Sequence, residues 1–330
     1  MMFFILRKDK IGDQFIALLC KKARAGIPVR LLLDRFGSQG ILDKYHAQLT
    51  NAGVQFSYSH GGKFPFFFFT LNQRNHRKMV IIDGNISFLG GFNIGKEYTG
   101  AGPLGLWRDY HLKICGEGAQ EIQKQFLKDW RENSWTLDDF PKISKKDCTN
   151  AHTVQHEIIS TEAMYLSHTY IKLIQQAKTT LSIGSPYFIP GMKVFRALRH
   201  AQKKGIILTV LIPTREDHPL VKSAAMPYLR HLQKHGAKLY FYEKGFFHGK
   251  VIIVDDTHCL IGTANFDMRS LHMNHEMSCL IHDPTFTKKV QKCFLLDLQN
   301  SQEITYADLA HPTMKEKAKE WIAFLFSAFF

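Results

Sequence analysis

The sequence predicts an α/β fold built from two pseudo-symmetric α/β/α halves with one shared active-site cleft. Three observations predict it. HRKMVIIDGNISFLGGFN at 76–93 returns 172 residues later as HGKVIIVDDTHCLIGTAN at 248–265, with His-x-Lys-x4-Asp, a Gly seven residues on and an Asn three further. The helix–strand pattern ahead of each copy also repeats. A chain of 330 residues with 45% hydrophobic side chains is long enough for two domain-sized cores.

The chain opens inside a strand, MMFFIL. In 15–34, FIALLCKKARAGIPVRLLLD, an amphipathic helix with a basic last turn stops at Gly and gives way to a Leu-rich strand. Residues 194–213, VFRALRHAQKKGIILTVLIP, repeat that order. A second helix then ends in Gly in each half, at 41–53 and 225–236, followed by the strands VQFSY and AKLYFYE. The His-x-Lys strand and a closing strand complete each unit, an alternation typical of α/β architecture. The second half also has EAMYLSHTYIKLIQQA and the strand KTTLSIG ahead of its repeat. The first half lacks that helix, so an upstream helix is expected to be missing. The expected boundaries are 1–140 for the first half, 141–160 for the connector, 161–311 for the second half and 312–330 for a C-terminal amphipathic, apolar helix.

A net charge of +14 points to a polyanionic partner, nucleic acid or an anionic membrane. The six cysteines contain no C-x-x-C pair, so zinc-type spacing is absent. No apolar run is long enough to span a bilayer. Two short apolar segments stand out, FPFFFF at 64–69 and WIAFLFSAFF at 321–330, the second suiting either a terminal helix docked on the core or an interfacial anchor. The four consecutive phenylalanines Phe66, Phe67, Phe68 and Phe69, flanked by Lys63, Arg74 and Arg77, suit a loop that dips into a membrane interface.

His76 and Lys78 are two residues apart, and so are His248 and Lys250; on a strand each pair shares a face. Asp83 and Asp255 lie seven residues beyond their histidines, an odd offset that turns them away. The residues alone therefore give these aspartates a structural role, fixing a turn or pairing a cation. If the halves meet about a pseudo-two-fold, two imidazoles, two ammoniums and the amides of Asn93 and Asn265 converge on one phosphate-sized site. One imidazole then attacks phosphorus and the other gives a proton to the leaving alkoxide. Each imidazole needs a carboxylate on its far nitrogen. Asp109 and Glu276 both stand five residues ahead of an isoleucine, Ile114 and Ile281, and are the candidates. No cofactor is required. His272, His275 and Glu276 make only a thin metal cluster, and no metal site is expected.

NHRKMVIIDG, FLGGFNIGKEY, WRDYHLKI, SPYFIP, FHGKVIIVDD and GTANFDMRS resemble the phospholipase D superfamily, and within it the bacterial cardiolipin synthases. The resemblance covers nearly the whole chain. It implies metal-independent transfer of a phosphatidyl group from one phosphatidylglycerol to a second through a phosphohistidine, giving cardiolipin and glycerol. It implies His76, Lys78, Asp83, His248, Lys250 and Asp255 as the catalytic motif residues, with Asn93, Asn265, Asp109 and Glu276 in support. The family pattern makes His76 the nucleophile and His248 the general acid and base; on the residues alone the two roles are interchangeable. It also implies anionic phospholipid and a membrane surface as partners, with no nucleic acid. The implied location is the cytoplasmic side of the bacterial cell membrane, with anchoring helices upstream. Tyr187, Arg215, His218 and Lys222 are candidates for the second head group. Two alternatives stay open at this point: a phosphodiesterase that hydrolyses phospholipid or nucleic acid, and a non-catalytic binder of anionic lipid.

Overall fold

The computed structural model describes residues 1–59, 73–134, 153–162 and 166–326. The first half contributes β1 (Met2–Phe3), β2 (Arg30–Asp34), β3 (Gln55–Ser59), β4 (Met79–Ile82), β5 (Ile86–Gly90), β6 (Trp107–Arg108) and β7 (His111–Cys115). Its helices are α1 (Lys10–Arg24), α2 (Ile41–Asn51) and α3 (Glu117–Asn133). The six-stranded sheet runs β3-β2-β1-β4-β5-β7. β1, β2 and β3 pair in parallel, whereas β4, β5 and β7 are antiparallel to their neighbours. Asp9 caps α1 by accepting from the backbone N–H groups of Ile11 and Gly12, so the helix begins five residues ahead of its apolar repeat.

The second half contributes β8 (His156–Glu162), β9 (Thr180–Gly184), β10 (Ile207–Pro213), β11 (Lys238–Tyr242), β12 (Phe246–Phe247), β13 (Val251–Val254), β14 (His258–Gly262), β15 (His275–Ile281) and β16 (Ser301–Ile304). Its helices are α4 (Leu166–Gln176), α5 (Gly191–Lys203), α6 (Val221–Lys234), α7 (Met268–His272), α8 (Pro284–Gln299), α9 (Tyr306–Ala310) and α10 (Met314–Leu325). The eight-stranded sheet is β16-β11-β10-β9-β13-β14-β15-β8. Removing its two edge strands leaves the first half's order.

The expected connector over 141–160 needs a correction. Its described end, from His156, is already strand β8, paired antiparallel with β15. As the edge of the sheet it exposes Glu157, Ser160 and Glu162 to solvent.

Strand alternation divides the core. Ile252 and Val254 face the helical layer with Leu173, Leu198 and Leu229, whereas Val251 and Ile253 face the other half. Leu31 and Leu33 pack with α1 and α2; Leu32 joins the inter-half core with Met2, Met79 and Leu89. The inner faces of the two sheets therefore share one apolar layer, extended by Ile122, Phe126 and Trp130 of α3 and by Val290 and Phe294 of α8. That layer fixes the halves against each other, so residues 200 positions apart are held in register.

Candidate active site

The two His-x-Lys segments do not lie within their strands. His76–Lys78 and His248–Lys250 are extended segments leading into β4 and β13. The reason is a change of partner. His275 N donates to Arg74 O and His76 N donates to His275 O at 2.9 Å, so the first segment pairs across to the other half. The second does the same through the parallel pair β12–β6, with His248 N donating to Arg108 O at 2.7 Å.

The side chains repeat this crossing. Nδ1 of His76 is 2.9 Å from Oε1 of Glu276, and Nδ1 of His248 is 2.6 Å from Oδ2 of Asp109. Each imidazole is thus held, main chain and side chain, by the opposite half. An Nδ1–H donated to a carboxylate leaves Nε2 as the reactive nitrogen. Lys78 Nζ donates to His76 O at 2.6 Å and Lys250 Nζ to His248 O at 2.5 Å, placing each ammonium beside its own imidazole. Phe4 makes an edge contact with the His76 ring at 5.0 Å, and Trp107 lies 4.8 Å from the His248 ring.

All these groups are buried, and their titration reflects it. Burial pushes both imidazoles down to about 4 against the opposing pull of Glu276 and Asp109. Burial pushes Lys250 down to about 8 and Lys78 well below its usual range. Burial alone would raise Glu276, but His76 and Lys78 outweigh it and hold the carboxyl at about 2. Asp109 is likewise pushed up by burial, yet ends below its ordinary value because of Lys250 and His248. The charge of Lys250 acts on both His76 and Lys78, and that of Glu276 on Lys250, so the two pairs form one electrostatic site.

The carboxylates are anchored differently. Glu276 also accepts from Thr263 Oγ1 and from Ser270 Oγ at 2.8 Å. Asp109 accepts from Tyr110 N and abuts Gly91, where a Cβ would come within 2.3 Å of its Oδ2. Gly91 and Thr263 occupy equivalent places in the two copies. The first copy needs a bare backbone there and the second a hydroxyl.

Two salt bridges, Arg77–Asp129 fully buried and Arg108–Asp297 half-buried, support the carboxylate-bearing segments. Arg77 donates to both oxygens of Asp129 on α3 at 2.8 Å, to Thr161 O at 2.9 Å and to Glu276 O at 3.3 Å. Arg108 donates to Asp297 on α8 at 2.6 and 3.0 Å and to Asp109 O at 2.8 Å, while Tyr110 Oη donates to Asp297 at 2.7 Å. In each case a helix aspartate holds an arginine that also grips the carbonyl of an imidazole-bonded carboxylate residue. Sequence reasoning missed both, and Arg77, expected beside a membrane-dipping loop, is instead fully buried.

Other expected residues fall elsewhere. Asp83 and Asp255, grouped with the catalytic motif by the resemblance, sit at positive φ (53° and 48°) in the turns beyond β4 and β13. Asp255 accepts from the backbone N–H groups of Lys178, Thr179 and Thr180, a turn-fixing role at the strand end remote from His248. Asn93 is buried, with Oδ1 accepting from Ile5 N at 2.9 Å and Nδ2 donating to Tyr98 Oη at 3.3 Å, so its amide braces the segment that follows β1. Asn265 is buried, and its backbone N–H donates to Ser270 Oγ. Phe66–Phe69 lie outside the described residues. Tyr187, Arg215, His218 and Lys222 line one groove with Asp217 at the ends of β9 and β10. Tyr187 Oη donates to Asp217 Oδ2 at 2.6 Å. Among the described residues no cluster of three or more His, Cys, Asp or Glu is arranged to hold a metal.

A family model described as cardiolipin synthase, PLD-like domain, matches residues 1–130 and 170–298. The chain belongs to that family. Among curated cardiolipin synthases, the minor enzyme ClsB of Bacillus subtilis (strain 168) is 38% identical, over 100% of this chain and 82% of that one. The major enzyme ClsA of the same organism is 36% identical, over 98% and 69%. Among solved structures, a phosphatidylserine synthase of Haemophilus influenzae Rd KW20 has the same fold (TM-score 0.78, 15% identity, 100% of this chain and 89% of that one). The two matched segments of the cardiolipin synthase domain carry the two His–Lys pairs and their crossed carboxylates.

Proposed function

We propose that the chain makes cardiolipin by phosphatidyl transfer between two phosphatidylglycerol molecules. The observation that carries this is the crossed pair of buried imidazole–carboxylate dyads, each with an ammonium beside it, in a chain of the cardiolipin synthase family.

Nε2 of His76 attacks the phosphorus of the donor lipid. The phosphorus–oxygen bond to glycerol breaks, and His248 gives its Nε2 proton to the departing alkoxide. Lys78 and Lys250 hold the non-bridging oxygens as charge gathers on them. The phosphatidyl group rests on His76 while glycerol leaves and a second phosphatidylglycerol enters. His248 takes the proton of its head-group hydroxyl, the oxygen attacks phosphorus, and the bond to His76 breaks. Both histidines return to their starting states.

Burial keeps both imidazoles neutral, while Lys250, at about 8, stays positively charged beside them. An arriving phosphodiester anion offsets that positive charge and favours proton uptake by His248, which readies it as the acid. The second head group is assigned to the groove of Tyr187, Arg215, Asp217, His218 and Lys222. There Asp217 uses one oxygen to accept from Tyr187, and the other faces no hydrogen-bond donor among the described residues.

The reading is tested by product analysis on phosphatidylglycerol vesicles with EDTA present. Cardiolipin with equimolar glycerol is the expected result. Phosphatidic acid alone would mean that water, not a lipid alcohol, resolves the intermediate.

A further inference from the structure

Helix α10 carries its apolar side outward. Its buried side chain, Ala323, packs on Ile189, Val221 and Ala224, and Glu320 pairs with Arg230 of α6 at 2.6 Å. A surface helix docked in this way ordinarily turns polar residues to solvent. Here Met314, Ala318, Trp321 and Leu325 recur at i, i+4, i+7 and i+11 on the opposite face. Met314, Trp321 and Leu325 are 80%, 65% and 55% exposed, and Phe324 beside them is 57% exposed. Lys315, Lys317 and Lys319 are exposed on the same helix. The capping box of Thr313 and Glu316 fixes its start.

We propose that α10 is an interfacial helix that lays Met314, Trp321 and Leu325 into the head-group boundary of an anionic lipid leaflet. Charge selects this occupant. The stripe also has the spacing of a helix–helix seam, but each copy of the chain carries a net charge of +14, which repels a second copy and attracts an anionic surface. Position agrees. Val221, which seats Ala323, also lines the groove of Tyr187, Arg215 and Lys222. Exposed Phe36 lies two residues past β2, and exposed Met192 lies in the first turn of α5. A leaflet held by α10 therefore meets the groove directly. The placement of the groove rests on the phosphatidyl-transfer reading; the helix–lipid contact does not.

The test compares the parent chain with a Met314→Ser, Trp321→Ser, Leu325→Ser variant, none of whose changes touches the reacting residues. Co-sedimentation with vesicles of phosphatidylglycerol and phosphatidylcholine, and with pure phosphatidylcholine, gives the binding readout. The expected result is binding of the parent to the anionic vesicles, weaker binding to neutral ones, and at least a tenfold loss in the variant. A parent Trp321 placed in the interface adds a blue shift in emission that Trp321→Phe removes. Thermal midpoint and turnover of a short-chain soluble phosphodiester are expected to stay at the parent level, which separates lost docking from lost folding. Unchanged vesicle binding by the variant overturns the proposal. So does a parent that is dimeric in sedimentation and becomes monomeric in the variant, since the stripe is then a copy–copy seam. If the soluble substrate is turned over by neither chain, the phosphatidyl-transfer reading fails while the vesicle result still decides the role of α10.

Discussion

The Nδ1 atom of His76 lies 2.9 Å from a carboxylate oxygen of Glu276, 200 residues further along the chain. Its counterpart, His248 with Asp109, spans 139 residues in the reverse sense. Neither half therefore holds a complete dyad. Replacing Glu276 by Gln keeps the shape but removes the charge that fixes the tautomer of His76. Turnover is expected to fall by about 10²- to 10⁴-fold, with a much smaller change in KM. Asp109→Asn is expected to act likewise through His248. Steady-state kinetics on a soluble phosphodiester checks both; a loss confined to KM would remove the orienting role.

The two histidines are distinguished by trapping. His248→Ala is expected to retain attack on an activated donor whose leaving group needs no proton, so a phosphatidyl adduct accumulates on His76. His76→Ala is expected to give no adduct. Intact-protein mass spectrometry after acid-free quenching reads the difference, and adduct formation in His76→Ala would exchange the roles.

Burial lowers both imidazoles to about 4, and this sets a stability profile. Between about 4 and the ordinary 6.5, the unfolded chain binds protons that the folded chain does not. Stability is therefore full above pH 6.5 and falls as pH drops towards 4. Glu276, held at about 2, adds a further loss as pH falls from 4.5 towards 2. A thermal-melt series from pH 7 to 4 is expected to decline steeply in the parent. It should be shallower in the His76→Asn, His248→Asn variant, and equal slopes would contradict the buried neutral imidazoles.

The paired imidazole–lysine segments were legible because two copies of a spacing say more than one, and the succession of helices and strands along each half followed from the same repeat. The crossing of the carboxylates was not legible. Asp109 and Glu276 occupy matching places, so each fits either histidine until the shared apolar layer fixes which half faces which. Parity along a strand gave Asp255 a turn-fixing role, but it wrongly kept His76 and Lys78 inside the strand, because their backbone partner belongs to the other half. The aspartates of α3 and α8 also recur, at 129 and 297. Their arginines, Arg77 and Arg108, stand at unmatched positions of the repeat, and no comparison of the copies finds them.

Those aspartates lead to a stability prediction. Arg77 and Asp129 are fully desolvated, so Asp129→Ala leaves an unpaired buried guanidinium and is expected to cost about 3–5 kcal/mol. Adding Arg77→Met is expected to restore much of the stability but not the turnover, because Glu276 loses the donor on its carbonyl. Denaturant unfolding and kinetics on the same samples separate the two effects.

The groove of Tyr187, Arg215, Asp217, His218 and Lys222 makes the last prediction. Its carboxylate, Asp217, is placed by Tyr187, and its charge reaches both His248 and Lys250. If that carboxylate receives the hydroxyl of the second head group, weakening it leaves formation of the phosphohistidine intact but lets water compete for it. Asp217→Asn and Tyr187→Phe are then expected to keep donor consumption within a few-fold of the parent while shifting product from cardiolipin towards phosphatidic acid. Added free glycerol distinguishes the cause. A groove that has lost its grip on the acceptor needs more glycerol than the parent to return the intermediate to phosphatidylglycerol. An unchanged product ratio, with donor consumption reduced in step, would place Asp217 in donor binding instead.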